Sequence, residues 1–160
     1  MEKRLIKGRK QVVLIGAAAL LAYFVSTFYC QLMVIQGQSM YPSYHNFQLV
    51  VLDKRTETFR RGDVVAFRCD TVKALLVKRI VAGPGDMVMI RDGVLYVNGQ
   101  ADMVALSKGK IHYAGTARRS VTLEEDEFFV LGDYYDGSKD SRYEQIGNVE
   151  RSSIVGKVLP

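Results

Sequence analysis

Residues 87–97 read MVMIRDGVLYV. Two short apolar runs flank Arg91-Asp92-Gly93, and Asp-Gly supplies the positive φ that a tight hairpin turn requires. The stretch is therefore two antiparallel strands, 87–90 and 94–97. Asn98-Gly99 offers a second turn of the same kind directly after them. Working outward, further short apolar or alternating runs at 48–52, 63–67, 74–81, 121–123, 128–131 and 153–158 are separated by turn residues. After residue 35 no amphipathic helix of useful length is evident, and residues 100–120, polar and Gly-containing, are expected to form a loop or hairpin. The expected fold is mainly β, an antiparallel sheet domain over residues 34–160.

What precedes that domain is different in kind. No Lys, Arg, Asp or Glu occurs from Gln11 through Leu52, and residues 12–29, VVLIGAAALLAYFVSTFY, are almost wholly apolar. A spanning helix needs ~20 such residues at ~1.5 Å each to cross ~30 Å of hydrocarbon. A buried core helix would carry a polar stripe, and a cleaved secretory signal would be shorter with a small-x-small site after it. One transmembrane helix is expected over residues 11–33. Lys3, Arg4, Lys7, Arg9 and Lys10 precede it, opposed only by Glu2, so residues 1–10 carry +4 of the total charge of +5. The positive-inside rule puts that tail in the cytoplasm and residues 34–160 outside, in a single-pass protein of the cell membrane. The remaining +1 over 150 residues gives no basic face for nucleic acid. Cys30 and Cys69 read as small buried apolar residues.

The candidate chemistry lies in three places. Ser39 sits in Gln36-Gly37-Gln38-Ser39-Met40-Tyr41-Pro42-Ser43, where Gly37 permits unusual φ and Pro42 fixes a bend. Lys78 and Arg79 lie on opposite faces of the apolar strand 74–81; either both carry their charges out to water, or one of them is buried, loses its proton and serves as a base. A serine hydroxyl needs such a base. His45 and His112 leave a Ser-His-Asp arrangement open; a Ser-Lys pair is a variant of the same logic. The third place is the polar loop Gly132-Asp133 to Ser138-Lys139-Asp140-Ser141-Arg142. No His/Cys/Asp cluster has metal-ligand spacing and no Gly-rich phosphate loop precedes a helix, so neither metal nor cofactor is expected.

Taken together, Ser39-Met40-Tyr41-Pro42-Ser43, Arg61-Gly62-Asp63-Val64-Val65-Ala66-Phe67, Lys78-Arg79-Ile80-Val81-Ala82-Gly83-Pro84-Gly85-Asp86 and the 132–142 loop resemble, in order and behind an anchor, a type I signal peptidase. The resemblance implies a membrane serine endopeptidase that removes signal peptides from exported preproteins. Ser39 would be its nucleophile, Lys78 its general base, and Ser138 the hydroxyl that orients the Lys78 amine. Asp140 and Arg142 would hold the loop as an ion pair, with Asp133 assisting. Gln36, Gly37, Gln38 and Met40 beside the nucleophile, and Leu76 and Val77 before the base, would bind an extended substrate segment along strand edges. The short spacing from Asp86 to Gly132 implies the family's compact form. Tyr134 and Tyr135 stand where the family has Asn-Arg, Ser43 where it has Thr, and Gly37 where some members place a Ser that helps bind the oxyanion. That leaves the Ser39 N–H and a second donor for the oxyanion. A pilin- or conjugation-type processing peptidase would share these motifs. A cytosolic self-cleaving repressor-type peptidase is at odds with the anchor, and a non-catalytic membrane assembly factor is at odds with the retained Ser39 and Lys78.

Overall fold

The computed structural model describes residues 2–159; of residues 2–9, 25, 26 and 28 only the backbone is described. The chain begins with helix α1, Glu2–Phe28. Every described side chain of residues 10–24 is exposed, with Val12, Val13, Leu14 and Leu20 each at about 70%. Among the described residues no helix is long and apolar enough to cross a membrane. The expected span takes in 25, 26 and 28, whose side chains lie outside the described set, as do those of the basic residues of the tail before Lys10.

The expected span ended at residue 33, but the helix stops at Phe28. After Tyr29 comes β1, Cys30–Val34, paired antiparallel with β2, Leu49–Asp53. The apolar run thus serves two elements. Alternation distinguishes the second: Leu32 and Val34 are exposed while Gln31 and Met33 are half-buried, a period of two that no helix has.

The remaining strands are β3 (Val64–Cys69), β4 (Ala74–Ala82), β5 (Met87–Arg91), β6 (Val94–Val97), β7 (Gln100–Ala101), β8 (Val121–Thr122), β9 (Glu127–Leu131), β10 (Val149–Glu150) and β11 (Ile154–Val158). Among the described residues they form a seven-stranded sheet, β1-β2-β11-β3-β4-β9-β10, and a four-stranded sheet, β7-β6-β5-β8, with every pairing antiparallel. The hairpin at 87–97 forms as its sequence dictates: Asp92 and Gly93 have φ of 54° and 81°, and Arg91 pairs with Val94. Residues 100–120 hold β7 and a helix, α2, Met103–Ser107, where the expected structure is a loop or hairpin. Asp102 makes that short helix possible, because its carboxylate accepts from the N–H groups of Val104 (2.9 Å) and Ala105 (3.0 Å) at the helix start.

The large sheet is covered on both faces, and β3 shows why. Val64 and Ala66 join a cluster with Ile35, Met40, Val50, Leu52 and Val158, while Val65, Phe67 and Cys69 join Ile80, Phe128, Val130 and Val149 on the other side. A third cluster seats the small sheet, through Val88, Ile90, Leu95 and Val97, on Ala82, Phe129 and Leu131.

Candidate active site

Ser39 is carried by a turn-rich loop that leaves the sheet after β1 and returns at β2. Ile35 and Phe47 close its neck, Phe47 N–H donating to Ile35 O (2.8 Å). Gly37 adopts φ of 91° and donates its N–H to Asn46 Oδ1 (2.8 Å). Met40 was expected to bind substrate, but it is 1% exposed and packs into the core cluster of Val50 and Val64. It is a peg that fixes the loop, and Ser39 beside it is half-buried. Gln36, Gly37 and Gln38 are exposed.

Lys78 comes from the middle of β4, opposite Val65 of β3. It is 4% exposed, and its Nζ donates to Ser39 Oγ at 2.8 Å. Burial pushes its pKa down from 10.5 to about 8; the Asp140 charge pulls upward and the Arg142 charge adds to the fall. Neither histidine makes this contact. His45 is exposed against the Tyr41 ring, and His112 lies 3.0 Å from Asp136.

The loop after β9 forms the far wall. Tyr134 N–H donates to Ser39 O (3.0 Å), and Gly132 N–H to Asp140 Oδ2 (3.0 Å). A Cβ on Gly132 would overlap both the Ser138 hydroxyl and the Ser39 carbonyl, so only glycine lets the two segments close. Asp140 and Arg142 form the expected ion pair, fully buried, with Nε–Oδ1 at 2.7 Å and Nη2–Oδ2 at 2.9 Å. The Arg142 guanidinium also donates to the carbonyls of Tyr135 (2.7 Å), Ser138 (3.2 Å) and Tyr113 (3.2 Å), which satisfies a charge held out of water.

Two expectations need correction. Ser138 was to hydrogen-bond the Lys78 amine; it is buried beside the pair, but its Oγ has no partner among the described residues. Asp133 was to assist the 138–142 loop. Instead it faces β4 and α2, accepting from Arg79 Nε (2.9 Å) and Nη2 (2.7 Å) and pairing with Lys108 Nζ at 2.8 Å. Burial opposes its ionisation, but hydrogen bonds from Arg79, Lys108 and Ser43 outweigh that and lower its pKa.

Lys108 was not among the candidate site residues, and Arg79, Ser43 and Gly132 stood in the candidate segments without the contacts found here. Arg79 carried a signal, as the cation on the second face of an apolar strand. Lys108 carried none, since only tertiary folding brings α2 here. Leu76 and Val77 are half-buried, Leu76 against the Phe67 cluster and Val77 against the Met40 cluster. Their strand has an open edge: β9 reaches β4 only from Arg79 onward. Ile80 exchanges bonds with Gly62 and Asp63 on the β3 side, so by alternation Val77 and Leu75 turn their peptide groups toward that open edge. A cavity of about 980 Å³ lies elsewhere, between the 91–93 turn and residues 111–118. Among the described residues no group of three or more His, Cys, Asp or Glu is placed to hold a metal ion.

A family model described as signal peptidase, peptidase S26, matches residues 8–159. The chain belongs to this family. Its relatives include signal peptidase I S of Bacillus subtilis, 31% identical with 97% of this chain and 87% of the relative covered. Signal peptidase I T of the same organism is 30% identical, covering 87% and 77%. Signal peptidase IB of Staphylococcus aureus is 28% identical, covering 99% and 89%. The crystal structure of a signal peptidase I from Enterococcus faecalis is 31% identical, with a TM-score of 0.53 over 64% of this chain and 97% of that one. Family membership makes this chain a serine endopeptidase of the signal peptidase I type.

Proposed function

We propose that the chain is a membrane-tethered signal peptidase in which Ser39 is the nucleophile and Lys78 the general base. The observation that carries this is the 2.8 Å bond from Lys78 Nζ to Ser39 Oγ with the amine buried. An amine with pKa about 8 is neutral in about a fifth of molecules at pH ~7.4, against about one in a thousand for an ordinary lysine. The neutral amine takes the Ser39 proton as Oγ attacks the scissile carbonyl, and the ammonium so formed protonates the departing amine. Water then attacks the acyl carbon as Lys78 accepts its proton, and that proton passes to Ser39 Oγ as the C–Oγ bond breaks and the acid leaves. The Ser39 N–H is the expected oxyanion donor.

The substrate segment would lie along the open edge of β4 and the exposed stretch 36–38, pairing with Leu75 and Val77 as an added strand. Shallow apolar pockets there would favour small side chains at alternate positions. The tether would be the apolar part of α1: its described side chains from Val12 to Phe24 are exposed, and an apolar surface of that kind finds a favourable surround in hydrocarbon. With the basic tail held in the cytoplasm, the β domain lies outside.

The test is processing of a preprotein at a small-x-small site. Ser39→Ala and Lys78→Ala should each abolish it while the protein stays folded and membrane-bound. Near-normal cleavage by either variant overturns the mechanism.

A further inference from the structure

Asp133 is 2% exposed at its side chain and already has a bidentate partner in Arg79, which alone neutralises it. A second cation, Lys108 Nζ, nevertheless sits 2.8 Å from Oδ1, its side chain only 19% exposed. Bringing another ammonium to a neutralised, buried site costs desolvation that one carboxylate does not fully return. The position of Lys108 therefore calls for a reason other than charge balance.

Its surroundings give one. Lys108 ends α2, which Asp102 caps at the start. Asp102 also pairs with Arg61 at 2.7 Å, and Tyr135 Oη donates to Ala105 O at 2.9 Å. Only Ala105 of the helix is buried, and a cavity of about 210 Å³ is walled by Val104 and Ala105 on one side and Ile80 and Leu131 on the other. Polar tethers, more than packing, hold α2 against the site. At its other end Lys108 meets two segments at once: Asp133, between Gly132 and Tyr134, on which the Ser39 carbonyl rests, and Ser43 Oγ (3.5 Å), on the nucleophile's own loop. Arg79 Nη2 reaches the same Ser43 oxygen at 3.3 Å.

We propose that Lys108 is a positioning residue for the nucleophile, clamping the Ser39 loop to the 132–134 wall through Asp133 and Ser43. Arg79 sets that wall from the side of the base, and Lys108 sets it from the side of α2. Displacement of a reacting group by an ångström costs up to about a hundredfold in rate. The inference rests on the Ser39–Lys78 reading.

The experiment uses the full chain in detergent and a short soluble peptide with an Ala-x-Ala site. Lys108→Met should lower kcat about tenfold with KM within about twofold, because the peptide's own contacts are untouched. Lys108→Arg, which keeps the charge and the donors, should recover most of the rate. Ser43→Ala should lower kcat less, because Lys108 keeps Asp133, and the double variant should lose less than the product of the two single losses, since both remove the Lys108–Ser43 contact. Lys110→Met, removing an exposed charge two residues on, should match the parent. Wild-type kcat in Lys108→Met, or a loss that Lys108→Arg does not repair, overturns the proposal. Should Lys108→Met melt at the assay temperature, Lys108→Gln is read in the same way. Ser39→Ala and Lys78→Ala run alongside separate the two failures. If either is active, the dyad reading falls; if both are dead while Lys108→Met runs at full rate, only the clamp falls.

Discussion

Lys78 holds an ammonium where water is scarce, and its cost and its use have one origin. The folded pKa of about 8 lies below the unfolded value of 10.5, so the folded chain binds that proton less well. The penalty, about 3 kcal/mol at ~1.36 per unit, is full below pH 8 and is relieved as pH rises toward 10.5. Activity should climb through an apparent pKa near 8; a profile governed by a pKa near 6.5 would point to a histidine instead. Lys78→Met should be inactive yet melt higher than the parent at neutral pH, because an apolar side chain carries no such penalty; a lower melting temperature would mean that Lys78 is not a desolvated cation. Ser138 makes the opposite case. Its orphan hydroxyl costs about 1–3 kcal/mol where it stands. Ser138→Ala should therefore be at least as stable as the parent in thermal unfolding, and any loss of rate would report a bond to Lys78 made only with substrate bound.

At the scale of elements, the 138–142 end of the loop after β9 is organised by the buried Asp140–Arg142 pair. Replacing Arg142 by Leu would leave the Asp140 carboxylate buried and uncompensated, at about 3–5 kcal/mol, measurable as a lowered denaturant midpoint. Replacing both partners by apolar residues should cost less than that single change. The strands and hairpin turns were legible in the sequence because short apolar runs and Asp-Gly or Asn-Gly turns are local signals. The end of α1 was not, since VVLIGAAALLAYFVSTFYCQLMV is uncharged and mostly apolar to its end and only pairing with β2 makes its last five residues a strand. Of the site, Ser39, Lys78, Asp140 and Arg142 were legible through motifs. Lys108 was not, because its partners Ser43 and Asp133 lie far away in the sequence on either side. Met40 misled for a related reason: proximity to Ser39 says nothing about which way a side chain points.

Across the whole molecule, helix and β domain meet through a single residue, Tyr29. Lys54 ties the join, its N–H donating to Tyr29 O (2.9 Å) and its Nζ to Thr27 O (2.8 Å). Removing residues 2–28 should leave the melting temperature of the β domain nearly unchanged, because the described part of α1 before that join is exposed. Turnover of a short soluble peptide should survive, and processing of a membrane-inserted preprotein should fall steeply; equal loss of both would mean that α1 supports the fold. There is a further consequence of so short a join. Five residues of β1 rise about 16 Å at ~3.3 Å each, and pairing with β2 prevents them from stretching. If α1 is the membrane tether proposed above, its end lies at the bilayer surface, the chain from Phe28 to Ser39 becomes a measuring rod, and the cut would fall where a preprotein's extended segment reaches the rod's tip. Two residues inserted beside Tyr29 would lengthen the rod, and mass spectrometry of mature N-termini should then find cleavage at small-x-small sites further from the apolar segment.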